Sequence, residues 1–150
     1  VRSMMGQTEA AIEVLTRALA ACRDADDRAF ALLALSLLAD ARATSGEDPT
    51  ALLIEAIEEG CAHHIPPFWW AGALLGLCER RAKSGANAGP ALTAVSALCR
   101  GNLLPPLVME RAARASARAR EVLGAAVSAG IELASAGLEL EVAALGLIAE

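Results

Sequence analysis

Cys61, His63 and His64 are the residues whose types could bind a metal ion, because a thiol and two imidazoles lie within four positions. A zinc site needs three or four protein ligands in a defined spacing, and the sequence contains no Cys-x-x-Cys pair. Two histidines at a helix end are stabilised there by the helix dipole alone. We therefore predict no metal site. A nucleophilic Cys–His pair stays open as an alternative, although no third residue is suggested that would orient the histidine.

Arginines recur at Arg111, Arg114 and Arg118, a spacing that places them on one face of a helix. Such a basic face could bind phosphate or an acidic partner. The alternative, which we favour, is a solvated face with Glu110 and Arg114 as an i,i+4 ion pair. An acidic face of the same solvated kind is formed by Glu55, Glu58 and Glu59.

The glycine-rich stretch from Ser84 to Pro90 precedes a predicted helix and resembles a phosphate-binding loop only in its glycines. It lacks the Gly-Lys-Ser/Thr sequence that contacts phosphates and magnesium. We interpret it as a turn between helices. With no acid–base or nucleophile constellation elsewhere, we predict no catalytic residues, no cofactor and no enzyme activity.

The aromatic side chains are concentrated at Phe68, Trp69 and Trp70, directly after Pro66-Pro67. Proline is well suited to a first helical turn, so we predict that this pair starts a core helix with an aromatic anchor. Adjacent residues of a helix point about 100° apart, so the three rings cannot all face one core and at least one is expected to be exposed or to line a groove. The candidate binding groove consists of His63, His64, Phe68, Trp69, Trp70 and Arg81.

Composition predicts an all-α fold, because alanine and leucine dominate the 150 residues and tyrosine is absent. Mean hydropathy is +0.44, but charge-free runs such as Ala29 to Ala39 and Ile65 to Cys78 are shorter than the roughly 18 residues of a membrane span. The net charge of −5 argues against direct nucleic-acid binding. The four cysteines are expected to be small buried hydrophobic residues.

Turn signals divide the chain into helices. The first is predicted from Gly6. A polar break at Asp24, Asp26 and Asp27 can cap the second, which is predicted from about Asp27 to Thr44 with a left-handed glycine after it. The third is predicted from Glu47 to about Gly60. The fourth follows Pro66-Pro67, and the fifth runs from about Gly89 to Cys99. The sixth runs from Pro105-Pro106 to Leu123, and a tail follows with breaks at Gly130 and Gly137 and a last helix near Glu139 to Ala149.

The helices repeat with a period of 39 residues. Gly46, Gly85 and Gly124 are spaced by this distance, as are the two Pro-Pro pairs, Cys22 and Cys61, and Phe30 and Trp69. Self-similarity at 20–50 residues is typical of helix-pair solenoids. We predict a single tetratricopeptide-like α-solenoid, with units of about 6–45, 46–84 and 85–123 and a divergent C-terminal cap at 124–150.

The segment from Trp70 to Leu77, the later Ala94-Val95-Ser96-Ala97-Leu98, and the tail from Gly137 to Ala143 resemble the late helical repeats of bacterial LuxR-type and signal-transduction ATPase regulators. The first half, Gly6 to Cys61, resembles the preceding tetratricopeptide-like pairs. The resemblance implies a sensor or interaction region that lies between an ATPase module and a DNA-binding helix-turn-helix, neither of which is present in these residues.

We therefore expect a non-catalytic module of a bacterial transcriptional regulator that binds a protein, a peptide or a small effector. A self-associating scaffold, such as a homodimer, is the alternative. Residues Val1 to Gln7 lack the apolar segment of a signal peptide, so a cytoplasmic location is expected. Because Val1 is not an initiator methionine, we expect the chain to be a fragment of a larger protein.

Overall fold

The computed structural model describes residues 2–83, 85–102 and 104–149, with side chains from Gly6 onward. These residues form helices and turns and contain no strand, which confirms the all-α prediction. The helices are α1 (Arg2–Asp24), α2 (Arg28–Ser45), α3 (Thr50–Ala62), a 3-10 turn (Pro67–Trp69), α4 (Ala71–Arg81), α5 (Gly85–Cys99), α6 (Pro106–Leu123), α7 (Ala125–Ala134) and α8 (Leu140–Ile148).

The boundaries of α2 follow from its end residues, as predicted. The Asp27 carboxylate accepts a hydrogen bond from the Phe30 N–H at 3.2 Å, which satisfies one of the free donors of the first turn. At the other end Gly46 has φ +91°, a left-handed conformation that costs glycine little, and its N–H bonds back to the last turn. The next helix, α3, is preceded by Asp48, whose carboxylate accepts from the Thr50 N–H at 3.1 Å.

The segment after Pro66-Pro67 differs from the predicted continuous helix. Pro67 begins a single 3-10 turn that ends at Trp69, and the α-helix starts only at Ala71. The intervening Trp70 has φ −122° and ψ 4°, and its N–H bonds to the Pro67 carbonyl at 3.2 Å. The chain bends at this residue because its side chain turns into the core.

Four other boundaries differ from prediction, and the first is the start of α3, which lies at Thr50 rather than Glu47. The first helix begins at Arg2 rather than Gly6, and α7 continues through Gly130. The predicted turn before Pro90 is helical from Gly85 onward, with Pro90 inside α5; Ser84 lies outside the described residues. Ala86 and Ala88 favour helix strongly, and Ala88 is fully buried, so packing outweighs the glycines and the proline here. The break at Gly137 is confirmed, and the predicted last helix corresponds to α8.

The chain forms two compact units, Val1–Ala73 and Leu74–Glu150. In the first unit α2 packs against α1, α3 and the 3-10 turn. Its fully buried side chains include Leu32, Leu35, Leu53 and Ile57. In the second unit α5 packs against α6, α7 and α8, so α5 is the central helix of that unit. Its fully buried side chains include Leu92, Val95, Leu98 and Leu147.

The turn between α7 and α8 is held by Arg100, just beyond the end of α5. The Arg100 guanidinium donates to the Ser135 carbonyl at 2.8 Å and to the Leu138 carbonyl at 3.3 Å. These carbonyls follow the C-terminal end of α7, where a cation also complements the helix dipole. The same side chain thus satisfies two backbone acceptors and links the C-terminal segment to α5.

Candidate functional site

Three aromatic side chains of the first unit form one contact group, which we call the aromatic cluster: Phe30, Phe68 and Trp69. The ring centroids of Phe30 and Trp69 are 4.9 Å apart, and those of Phe68 and Trp69 are 5.3 Å apart with the planes at 89°. Both distances fall within the favourable range for tilted and edge-to-face pairs. Phe30 is 52% exposed and Phe68 51% exposed, while Trp69 between them is half-buried. The cluster is therefore an ordered apolar surface.

Trp70 was predicted to line the binding groove, and the structure places it in the core instead. Its side chain is fully buried, and its indole Nε1 donates to the Ile65 carbonyl at 2.8 Å. The ring lies against Gly60, where an added Cβ would be 2.7 Å from the indole Cδ1. Only a residue without a side chain leaves room for the ring at this point of α3. Trp70 thus joins the 3-10 turn to α3 and offers no surface to a partner.

His63 and His64 lie at the end of α3 and are exposed. His63 caps the helix, and its Nε2 contacts the guanidinium of Arg28. His64 adopts φ +50°, the left-handed region, which reverses the chain toward Pro66. Cys61, by contrast, is buried. The three residues therefore differ in environment, and no group of three or more His, Cys, Asp or Glu side chains in the described part of the chain could hold a metal ion.

A cavity of about 280 Å³ lies in the first unit where α1 ends, α2 begins and α3 passes; we call it the polar pocket. It is lined by Cys22, Arg23, Asp26, Asp27, Arg28, Ala31 and Glu59. The two guanidinium groups are engaged inside the unit. Arg23 pairs with Glu55, and Arg28 lies 3.3 Å from the Asp26 carboxylate. The pocket is thus lined by two arginines that already have carboxylate partners and by the additional carboxylates of Asp27 and Glu59.

The aromatic cluster and the polar pocket both include residues of the first turn of α2. Asp27, a pocket residue, bonds the backbone of Phe30, a cluster residue. Arg28, between them, lines the pocket and contacts His63. Phe30 was missed as a site residue, although its 39-residue offset from Trp69 was a usable signal. Of the predicted residues, Phe68 and Trp69 belong to the aromatic cluster, His63 contacts the pocket residue Arg28, and His64 is exposed.

Arg81 and the basic face belong to the second unit. Arg81 is half-buried in the last turn of α4. Arg111 makes a two-point ion pair with Glu79 at 2.7 and 3.1 Å, Arg114 pairs with Glu110 at 3.0 Å, and Arg118 with Glu121 at 3.0 Å. The predicted Glu110–Arg114 pair is confirmed. Because each of these cations has a carboxylate partner, the face is a set of internal ion pairs.

The cysteines occupy different environments. Cys61 and Cys78 are buried as predicted, Cys22 is half-buried, and Cys99 is exposed, contrary to prediction. Burial raises the pKa of the Cys78 thiol far above its ordinary value, and the neighbouring Glu79 carboxylate raises it further. Cys78 therefore stays protonated at neutral pH and lacks the thiolate that nucleophilic chemistry requires. Partial burial also raises the pKa of Cys99.

The second unit carries an apolar groove of about 560 Å³ between α5, α7 and α8. Its lining consists of Gly89, Pro90, Thr93, Ile131, Leu138, Val142, Ala143 and Gly146. Neighbouring apolar side chains on α7 and α8 are exposed, among them Leu133 at 80%. The tail predicted as a solenoid cap therefore presents an apolar surface.

Comparisons of this chain with protein-family models, with curated proteins and with solved structures find no match. Among the described residues, none of the helices combines the length and the apolar content needed to cross a bilayer.

Proposed function

We propose that this chain is a non-catalytic helical-repeat module that binds a peptide segment of a partner protein through the aromatic cluster. The observation that carries the proposal is the exposure of Phe30 and Phe68 on either side of Trp69. Aromatic residues, tryptophan above all, are enriched among the residues that dominate protein-binding energies. An ordered aromatic surface costs little further entropy on binding.

The local backbone supports this use of the cluster. Pro66 and Pro67 restrict the chain on entry to the 3-10 turn, and the buried Trp70 anchors it on exit. Phe68 and Trp69 lie between these fixed points. Their rings are therefore held in place before a partner arrives.

The wider context of the proposal is a cytoplasmic tetratricopeptide-like solenoid within a bacterial transcriptional regulator of the LuxR type. The repeat is supported by the 39-residue spacing of the two Pro-Pro pairs and by the similar extended backbone at Pro66 (φ −52°, ψ 137°) and Pro105 (φ −57°, ψ 149°). The regulator context is supported by the resemblance of the segment from Trp70 to Leu77 to such proteins. Helix-pair modules of this kind bind partners along exposed helix faces.

The proposal is tested by selecting binders from a random 12-residue peptide library and measuring their affinities by fluorescence anisotropy. Phe68→Ala and Trp69→Ala should lower the affinity for the selected peptides by about tenfold or more, as expected when an interface anchor is truncated. Leu107→Ala, at the equivalent position after the second Pro-Pro pair, is the control and should leave affinity unchanged. Circular dichroism checks that each variant keeps its helicity. Equal binding to Phe68→Ala, folded and at full helicity, would contradict the proposal.

The second candidate function, self-association as a scaffold, is favoured by the apolar groove and by Leu133 and Val142, which are 80% and 53% exposed. Exposed apolar patches of this kind mark interaction surfaces. Light scattering across a concentration series tests it, with Leu133→Gln and Val142→Gln expected to shift the mass toward the monomer. A mass that stays monomeric at all concentrations rules out this function.

A further inference from the structure

We infer that the peptide segment bound by the aromatic cluster is basic: an arginine or lysine enters the polar pocket while neighbouring apolar side chains cover the cluster. The inference rests on the proposed function, because it specifies the partner of the same surface. It is carried by the charge of the first unit, by the uncompensated carboxylates of the pocket and by the position of the aromatic rings beside them.

Charge is unevenly divided between the two units. Val1–Ala73 carries eleven Asp and Glu residues against five Arg and no Lys, a net charge of −6. Leu74–Glu150 carries seven acidic and eight basic residues, a net charge of +1. The exposed aromatic cluster thus lies on the acidic unit. The field of such a unit attracts cationic segments and repels acidic ones.

The pocket shows the same imbalance at the level of single side chains. Its cations are offset by neighbours, since Arg23 pairs with Glu55 and Arg28 with Asp26. Among the described residues, Glu59 has no ion-pair partner, and the Asp27 carboxylate accepts only the backbone N–H of Phe30. Two carboxylates are therefore left to accept donors from a ligand. An arginine or lysine head fits a cavity of about 280 Å³.

The aromatic rings complement a cation in a second way. The face of a tryptophan or phenylalanine ring attracts a guanidinium or ammonium group. Phe30 belongs to the same first turn of α2 as the pocket residues Asp27 and Arg28, so a bound peptide of a few residues can span the pocket and the cluster. Acidic or neutral peptides would gain the apolar contact alone.

The test compares three peptide libraries that share their apolar positions and differ only at the remaining ones, which are restricted to Lys/Arg, to Gln/Ser or to Asp/Glu. The Lys/Arg library should give the tightest binders. Their affinity should fall as sodium chloride is raised, because exposed ion pairs are screened. Tightest binding from the Gln/Ser or the Asp/Glu library would overturn the inference.

The variant for this test is Asp27→Asn/Glu59→Gln, which removes two charges while asparagine still caps α2. It should bind the selected basic peptides about tenfold more weakly, the size expected for two exposed charge contacts. The control is Glu9→Gln/Glu13→Gln, which changes the net charge equally but lies about 15 Å or more along α1 from its end at Asp24. The control should keep at least half of the wild-type affinity.

The outcomes separate the two proposals. Basic peptides that bind Asp27→Asn/Glu59→Gln as tightly as wild type, yet lose affinity in Phe68→Ala, would overturn the basic-segment inference and leave the proposed function intact. Peptides from any library that bind Phe68→Ala and Trp69→Ala as tightly as the wild type would overturn the proposed function itself.

Discussion

The two Pro-Pro pairs, 39 residues apart, begin in the same way and lead to different structures. Pro66 and Pro105 both have extended backbone angles. After the first pair the chain makes a 3-10 turn, bends at Trp70 and restarts as α4; after the second pair it enters α6 directly. A shared helix-start signal thus sets the entry of the chain, while the residues that follow decide its path.

The difference lies at the fourth residue after the start of each pair. Trp70 is fully buried against Gly60, whereas Met109 at the equivalent position is 40% exposed. Burying a large ring at this point draws the first segment into the core and leaves Phe68 and Trp69 on the surface. The second segment instead forms an amphipathic helix, with ion-paired arginines outside and Ala112, Ala115 and Ala119 inside.

The largest expected effect comes from removing the residue that creates the difference. Trp70→Ala should lower the free energy of unfolding by about 3–5 kcal/mol, the usual cost of truncating a buried tryptophan. Met109→Ala, at the equivalent exposed position, should cost less than about 1 kcal/mol. Urea unfolding followed by circular dichroism measures both. Equal losses of unfolding free energy in Trp70→Ala and Met109→Ala would contradict the difference in burial between the two positions.

Gly60→Ala tests the other half of the same contact. The new methyl group would lie 2.7 Å from the indole Cδ1 of Trp70, so the ring must shift within the core. We expect a net loss of about 1–2 kcal/mol, because overpacking outweighs the gain in helix propensity. Gly130→Ala is the matched control: apart from its chain neighbours and the backbone of α7 itself, nothing lies within 4 Å of the added Cβ, so it should raise stability by about 0.5–1 kcal/mol.

The stability of the segment after the second Pro-Pro pair depends more on ion pairs than on a buried ring. Arg111→Lys should replace the two-point contact with Glu79 by a single one, at a cost of about 0.5–1 kcal/mol after allowing for the exposure of Glu79. Arg114→Lys, in the exposed pair with Glu110, should cost less than about 0.5 kcal/mol. Raising the salt concentration should narrow the gap between the two variants in thermal unfolding.

A small effect on stability is also expected at Phe68 and Leu107, which occupy equivalent positions after the two pairs. They are 51% and 74% exposed, so each alanine variant should lose about 1 kcal/mol or less. The two variants are then alike in stability while differing in peptide affinity. A loss of several kcal/mol in Phe68→Ala would assign the ring to the core of the first unit.

Local signals in the sequence predicted local structure well. The Asp27 cap, the left-handed Gly46, the start of α6 near Pro105-Pro106 and the Glu110–Arg114 pair each depend on residues within one or two turns. Each was predicted because the physical cause and its effect lie close together in the chain. The all-α class followed in the same way from summed helix propensity.

Features that depend on distant partners were not predictable. Whether Trp69 or Trp70 turns inward depends on Gly60, which lies on another helix, and Arg111 pairs with Glu79 from 32 residues away. The helix at Gly85 depends on burial of Ala88, which overrides the local preference of glycine and proline. For the candidate site, residue types were informative, but the division between core and surface required the packing.

The contact of Gly60 with Trp70 has a consequence for how this sequence can diverge. The indole fills the volume that a side chain at position 60 would need, so the two positions share one space. In related sequences we expect them to vary together, with a larger residue at position 60 accompanied by a smaller one at position 70. Where the side chains at positions 60 and 70 are both of medium size, the bend after the first Pro-Pro pair should disappear. That segment should then enter its helix directly, as the segment after the second Pro-Pro pair does.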